Sequence, residues 1–261
     1  MLKIQSLASG SKGNCTHIQS PTTQVLVDAG LTLTQMLKRM AAANVDPNKI
    51  NGVVITHEHS DHIFGLEHFL NRYDNAKAYL HSAVTCLFPN LDPAQIQTFD
   101  DKFKIGDIDV DFFNVPHDSK FCFGYSFQNG EAKISVATDL GRTNDEILAN
   151  MAGSQIVMLE SNHDLIRLAE NKKYHYLLKQ RIMGGRGHLS NPASADAVYK
   201  LSKMGTSQFI LAHLSEENNS PSLAFETMCK FLDARGIKQG QDVFIDVATQ
   251  NKPTLQYTID A

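Results

Sequence analysis

The sequence predicts an α+β chain in which two mixed β-sheets pack face to face with helices on the outside. Three observations lead there. Short apolar runs of strand length crowd the first half of the chain and mix with helical patterns in the second. Strands in that order suit two sheets that share a core and bring several strand ends to one edge. The composition, 42% hydrophobic and 20% charged over 261 residues, is that of a globular chain able to bury a substantial core. No repeat, low-complexity tract, Pro- or Gly-rich linker or composition break divides it, so residues 1–261 read as one domain.

The elements follow in order. Strand patterns near 2–7, 15–19 and 24–28 are joined by turn-rich pieces, and 31–44 reads as an amphipathic helix that stops before Asp46-Pro47. A strand at 52–56 precedes a helix at 63–73. Further strands are expected near 77–80, 108–114, 122–128 and 131–138, the last two separated by the turn residues Asn129-Gly130. Helices near 143–151, 172–183, 192–204 and 221–235 alternate with strands near 155–160, 207–212 and 242–247.

Between the 52–56 strand and the helix after it lies His57-Glu58-His59-Ser60-Asp61-His62. Loops at strand ends are where open α/β layers build sites. In nearly extended backbone, residues two apart point the same way, so His57 and His59 can reach one cation. The chain then turns and offers Asp61 and His62 to a second. With 11 His in 261 residues, three His and one Asp at these four positions arise by chance in roughly one chain in a thousand. A merely His-rich polar loop is therefore the weaker reading.

A site for two cations needs more than four protein groups, and three further candidates each end an apolar run. His117 follows 110–115, Asp139 ends 134–139 and His213 ends 209–213. Taken singly, each reads as a hydrogen-bonded histidine or a capping aspartate. Together beside the loop motif they read as ligands.

The pattern resembles the metallo-β-lactamase superfamily, whose members carry His-x-His-x-Asp-His followed by a His, a bridging Asp and a last His. Ser6-Leu7-Ala8-Ser9-Gly10-Ser11-Lys12-Gly13-Asn14, Ala137-Thr138-Asp139-Leu140-Gly141, Glu160-Ser161-Asn162-His163-Asp164, Gly187-His188-Leu189-Ser190-Asn191 and Ala212-His213-Leu214-Ser215-Glu216-Glu217-Asn218-Asn219 narrow the likeness to its YycJ/WalJ group. The resemblance implies a four-layer αββα fold and a bacterial, cytosolic nuclease acting on DNA from the 5′ end. It also implies that His57, His59 and His117 bind one metal, that Asp61, His62 and His213 bind another, and that Asp139 bridges them. A carboxylate between two dications offsets their repulsion and suits the separation of about 3.5–4 Å used in two-metal hydrolysis. Imidazole with carboxylate suits zinc, manganese or iron.

The residues that would meet a substrate carry weaker signals. Ser9, Ser11, Lys12 and Asn14 sit in a Gly/Ser loop between two strands, which can present N–H groups and a cation to a phosphate or be a plain tight turn. His188, in a glycine-rich loop closed by Asn191-Pro192, and His163, after a strand, are not needed to hold metal. They either orient other groups or approach the phosphate oxygens and leaving group. In a phosphodiesterase Asp61 would orient the attacking hydroxide, and His188 or His163 would assist departure of the 3′ oxygen. Arg167, Lys172, Lys173, Lys179, Arg181 and Arg186 give 164–188 a local positive excess, either a solvated helix face or a flank that tracks a phosphodiester backbone.

The net charge of −4 argues at first against a nucleic-acid partner, but two divalent cations bring the chain to about neutral and concentrate positive field in the cleft. Cys15, Cys86, Cys122 and Cys229 lack paired spacing, so neither a disulfide framework nor a zinc knuckle is expected. No segment is long enough to cross a membrane, and a cytoplasmic location follows as the default. A thioester or lactone hydrolase on the same fold is the enzymatic rival, and it would need an apolar acyl pocket more than a basic track. A scaffold that has lost chemistry is the other, and its mark would be missing ligands. A β-lactamase fits poorly, because no cysteine stands where several of those enzymes place a thiolate ligand.

Overall fold

The computed structural model describes residues 1–260. Its first sheet contains β1 (Leu2–Ala8), β2 (Cys15–Gln19), β3 (Gln24–Val27), β4 (Ile50–Val54), β5 (Lys77–His81) and β6 (Ile96–Phe99). The second contains β7 (Phe103–Ile105), β8 (Ile108–Asn114), β9 (Phe123–Asn129), β10 (Ala132–Ala137), β11 (Ile156–Glu160), β12 (Gln208–Ala212) and β13 (Phe244–Val247). The last strand, β14 (Tyr257–Ile259), returns to the first sheet beside β1. The orders are β14-β1-β2-β3-β4-β5-β6 and β13-β12-β11-β10-β9-β8-β7. In the first sheet β14 through β3 are antiparallel and β3 through β6 parallel; in the second β7 through β10 are antiparallel and β10 through β13 parallel, with β14 standing in the first where β7 stands in the second.

Helices cover both outer faces. On the first sheet lie α1 (Leu33–Ala42), α2 (Ser60–Ile63) and α3 (Leu66–Arg72). With the second go α4 (Asp145–Met151), α5 (Leu165–Glu170), α6 (Tyr176–Met183), α7 (Asn191–Lys203) and α8 (Pro221–Asp233). Between the sheets Ile4, Val54, Tyr125, Phe127 and Ile210 form one apolar layer. Met36, Met40 and Phe69 pack helices on the first sheet, and Leu148, Val198 and Met228 do so on the second. Burying each such side chain contributes about 1.5–3 kcal/mol before conformational entropy is counted. This is the four-layer αββα arrangement expected from the sequence.

Where the elements differ from expectation, a tertiary contact is the cause. The helix expected at 63–73 is broken into α2 and α3 at Gly65, whose N–H donates to the Ala29 carbonyl, an approach that a side chain would block against Leu31. The strand expected at 52–56 leaves its ladder at Ile55, because the Thr56 N–H turns to the Asp28 carboxylate. The helix expected at 172–183 begins at Tyr176, with α5 as a separate short helix before it. Edge strands β6, β7 and β14, each three or four residues long, gave no local signal. No helix is long and apolar enough to cross a membrane among the described residues.

Six strands end at one edge, and the residues after them carry the site. Asp28 follows β3, the His57 loop follows β4, His117 follows β8, Asp139 follows β10, Glu160 ends β11 and His213 follows β12. Among the described residues, Asp28, Asp139 and His213 are three of the four non-glycine residues with positive φ, at 64°, 58° and 52°. A left-handed turn costs of order 1 kcal/mol for such residues. It reverses the side chain at the strand's last step and aims it into the gap between the sheets.

Candidate metal centre

The loop after β4 is extended through His59 (φ −65°, ψ 146°) and turns into α2 at Ser60. That change of geometry divides its side chains into two sets. His57 and His59 stay on one side with ring centroids 4.5 Å apart, and His117 from the second sheet stands 5.0 and 5.1 Å from them. Asp61 and His62, carried round by the helical turn, meet His213 instead. In each set the ligand-capable atoms lie within 4.8 Å of one another, and Asp139 groups with His57 of the first set and His62 of the second, and also with His213, Glu160 and His188. All seven sequence-derived candidates therefore converge.

Buried partners fix the rings. The His62 Nδ1–H donates to Asp28 Oδ2 at 2.7 Å, leaving Nε2 facing Asp139 Oδ2 at 3.0 Å and Asp61 Oδ2 at 3.4 Å. Asp28 is itself held by the Thr56 N–H and hydroxyl, at 2.8 and 3.0 Å. The His213 Nδ1–H donates to Glu160 Oε1 at 2.8 Å, and the His117 Nδ1–H donates to the Gly187 carbonyl at 3.1 Å. A carboxylate or carbonyl behind a ligating imidazole sets its tautomer and raises its basicity. Asp28 and Glu160 were not assigned roles from the sequence. The signal was available, since each ends an apolar run just as Asp139 and His213 do.

The donor set fits a cation. His57 Nε2, His213 Nε2 and Asp139 Oδ2 are buried without a hydrogen-bond partner, the Asp139–His62 approach being out of line for one. Buried polar atoms left alone are costly, so their convergence calls for a ligand. Burial alone pushes the His62 and His213 imidazoliums down, but Asp28 and Asp139 hold His62 well above its ordinary range, and Asp139 with Asp61 and Glu160 holds His213 at about 10. Burial raises the Asp139 carboxyl, and His213 and His62 more than reverse this. The carboxylates thus attract positive charge to atoms where a metal would compete with protons.

The remaining candidates fall at the rim or behind the ligands. His188 lines a cavity of about 200 Å³ with Ser11, Asp118, Tyr174 and Arg181, its Nδ1 bonded to Glu160 Oε1 at 2.8 Å. Glu160, fully buried, also accepts the Leu140 and Leu189 N–H groups. His163 is 1% exposed with neither ring nitrogen bonded, and burial draws its pKa down to about 4. The Gly/Ser loop divides in two. Ser9 Oγ accepts the His213 N–H, and the Asn14 amide lies 3.3 Å from the Asp61 carbonyl and 3.0 Å from His62 Nε2, so both brace the ligands from inside. Ser11 and Lys12 are exposed, with Lys12 paired to Glu216. Docking of this loop needs Gly30, where a Cβ would overlap the Asp61 carbonyl.

Much of the basic stretch is engaged within the chain. Lys173 pairs with Glu217, Arg181 with Asp118, Lys179 with the Ala169 carbonyl, Arg186 with the His117 carbonyl and Arg167 with the Asn219 carbonyl. The four cysteines lie outside the ligand groups.

A two-sheet sandwich whose strand ends converge histidines and aspartates on buried, unbonded donor atoms is a metal-dependent hydrolase of metallo-β-lactamase type. The chain belongs to the β-lactamase superfamily, whose domain model matches residues 23–214. It is similar to exodeoxyribonuclease YycJ of Bacillus anthracis, at 34% identity over 266 aligned residues covering 98% of this chain and 99% of that one. Exodeoxyribonuclease WalJ of Streptococcus pneumoniae is 33% identical over 247 residues, 92% of this chain and 91% of that one. The structure of YhfI, a metallo-β-lactamase fold protein from Bacillus subtilis, matches with TM-score 0.74 over 98% of this chain and 100% of that one at 15% identity, a likeness of fold.

Proposed function

We propose that this protein is a DNA exonuclease that hydrolyses phosphodiester bonds from the 5′ end with two divalent cations, zinc, manganese or iron, and that residues 1–261 act as one cytoplasmic domain. The observation that carries the reading is the pair of ligand groups with Asp139 between them and unbonded donor atoms facing inward. The choice of DNA leans on the two relatives named exodeoxyribonucleases, which align along nearly the whole chain. His57, His59 and His117 would hold one cation, Asp61, His62 and His213 the other, and Asp139 both. Cations held there supply a water of lowered pKa and neutralise charge on the phosphate.

The chain's own groups do the rest. Asp61, braced by Asn14, accepts a hydrogen bond from the attacking water and orients it. His188 opens on the cavity with its Nδ1 bonded to Glu160, which orients the ring to give a proton to the departing 3′ oxygen. His163 is 1% exposed, which favours His188 for the transfer. Ser11 and Lys12 stand where a phosphate would pass, while Ser9 and Asn14 act through the ligands they brace.

The test is hydrolysis of 5′- and 3′-labelled single- and double-stranded DNA beside thioesters and lactones, with each metal. The wild-type chain should release mononucleotides from the 5′ label first, and Asp139→Ala and His59→Ala should each lose about 10³-fold or more while remaining folded by circular dichroism. Full activity in both variants, or faster turnover of a thioester than of any DNA, would overturn the assignment.

A further inference from the structure

The cavity beside His188 is walled by α6, whose Leu178, Arg181 and Ile182 line it together with Asp118 and Ser11. That helix buries no side chain: Tyr176 and Leu177 face water, and Leu178 and Ile182 are half-buried. With so little core contact, it is placed by its C-terminal end. The His188 N–H donates to the Ile182 carbonyl at 2.9 Å, and Arg181 pairs with Asp118. Gly187 lies so close to the helix that a Cβ there would come within 2.2 Å of the Arg181 and Ile182 carbonyls. The Gly187 carbonyl in turn accepts the His117 Nδ1–H at 3.1 Å. The wall is therefore anchored in the same loop that carries His188 and braces His117.

In the nuclease reading, the position of His188 decides which part of the substrate lies in this cavity. Water oxygen bonds to phosphorus, the bond from phosphorus to the 3′ oxygen breaks, and His188 protonates that oxygen. The fragment beside His188 is thus the one that gains a 3′ hydroxyl. In a strand cut from its 5′ end, that fragment is the terminal nucleotide. The rest of the strand lies beyond Asp61, where a groove of about 280 Å³ lined by Gly30, Thr32, Ser60 and Asp61 meets the cavity at Ser11. The cavity, at about 200 Å³, is smaller than ordinary ligand pockets and ends against α6, so a strand that enters it has no room to run on. We propose that α6 is an end stop: Leu178, Arg181 and Ile182 meet the terminal sugar and leave a continuing strand no path, which confines cleavage to 5′ ends. This rests on the nuclease reading and adds to it the residues that make the cut exonucleolytic.

The test uses a covalently closed circular duplex and the same duplex linearised, its 5′ ends free or capped by biotin–streptavidin. Each is digested by the metal-loaded wild type, by a variant carrying Leu178→Ala, Arg181→Ala and Ile182→Ala together, and by Leu178→Trp. Because α6 buries no side chain, all three chains should stay folded by circular dichroism. The wild type should degrade free linear ends, stall at capped ones and spare the circle, whereas the triple variant should nick the circle and pass the caps. Leu178→Trp, which fills the cavity, should slow digestion of free ends by about 10²-fold through misplacement of the terminal nucleotide, with metal content unchanged. If the triple variant degrades the linear duplex and still spares the circle, or the wild type digests capped ends at the free rate or nicks the circle, the end stop falls and the nuclease reading stands. Should the triple variant cut neither form, the capped ends decide: stalling of the wild type there upholds the stop. If the wild type cuts no DNA, both fall.

Discussion

The floor of the site and its rim are held in opposite ways. In the floor, His62, His117 and His213 are at most 4% exposed and each has a buried acceptor behind its ring: Asp28, the Gly187 carbonyl and Glu160. Along the rim, α6 buries no side chain at all, and Ile166, Tyr176 and Leu177 are 67%, 70% and 72% exposed. Exposed ion pairs such as Lys173 with Glu217 lie along it, and solvent screens such pairs so that they hold a surface weakly. The contrast teaches that the candidate ligands are held by buried partners, whereas the rim is held by exposed contacts.

The comparison breaks most visibly if the floor is loosened. Replacing Asp28 with Asn or Glu160 with Gln keeps shape but weakens the acceptor behind His62 or His213, and each should lower metal affinity by about 10- to 100-fold in competition against a chromophoric chelator. Affinity unchanged in both would mean that the buried carboxylates are bystanders. The rim should respond more mildly. Lys172→Glu with Lys173→Glu should leave metal affinity alone and lower the slope of DNA affinity against salt by about 1 for each phosphate that the chain no longer neutralises. An unaltered slope would show that this segment is only solvated, and a loss of metal would erase the distinction between floor and rim.

The two regions also differ in how far the sequence reveals them. The β4 loop is legible because six contiguous residues carry both the extended step and the helical turn that divide His57 and His59 from Asp61 and His62. His117, Asp139 and His213 follow from a rule, a polar residue ending an apolar run, and the same rule would have returned Asp28 and Glu160. Edge strands escape local reading because partners far away make them: β14 exists through Leu2 pairing with Ile259. The basic stretch shows the limit of charge counting, since Lys173, Lys179, Arg181 and Arg186 already have partners in the fold.

The most direct test is metal content measured against activity. Wild-type chain stripped with chelator and titrated with zinc, manganese and iron in turn should take up two equivalents of at least one of them, with DNA hydrolysis returning in step, and Asp139→Ala should bind fewer. Failure of all three metals to bind stoichiometrically, or two full equivalents bound by Asp139→Ala, would contradict a site built on one carboxylate between two cations.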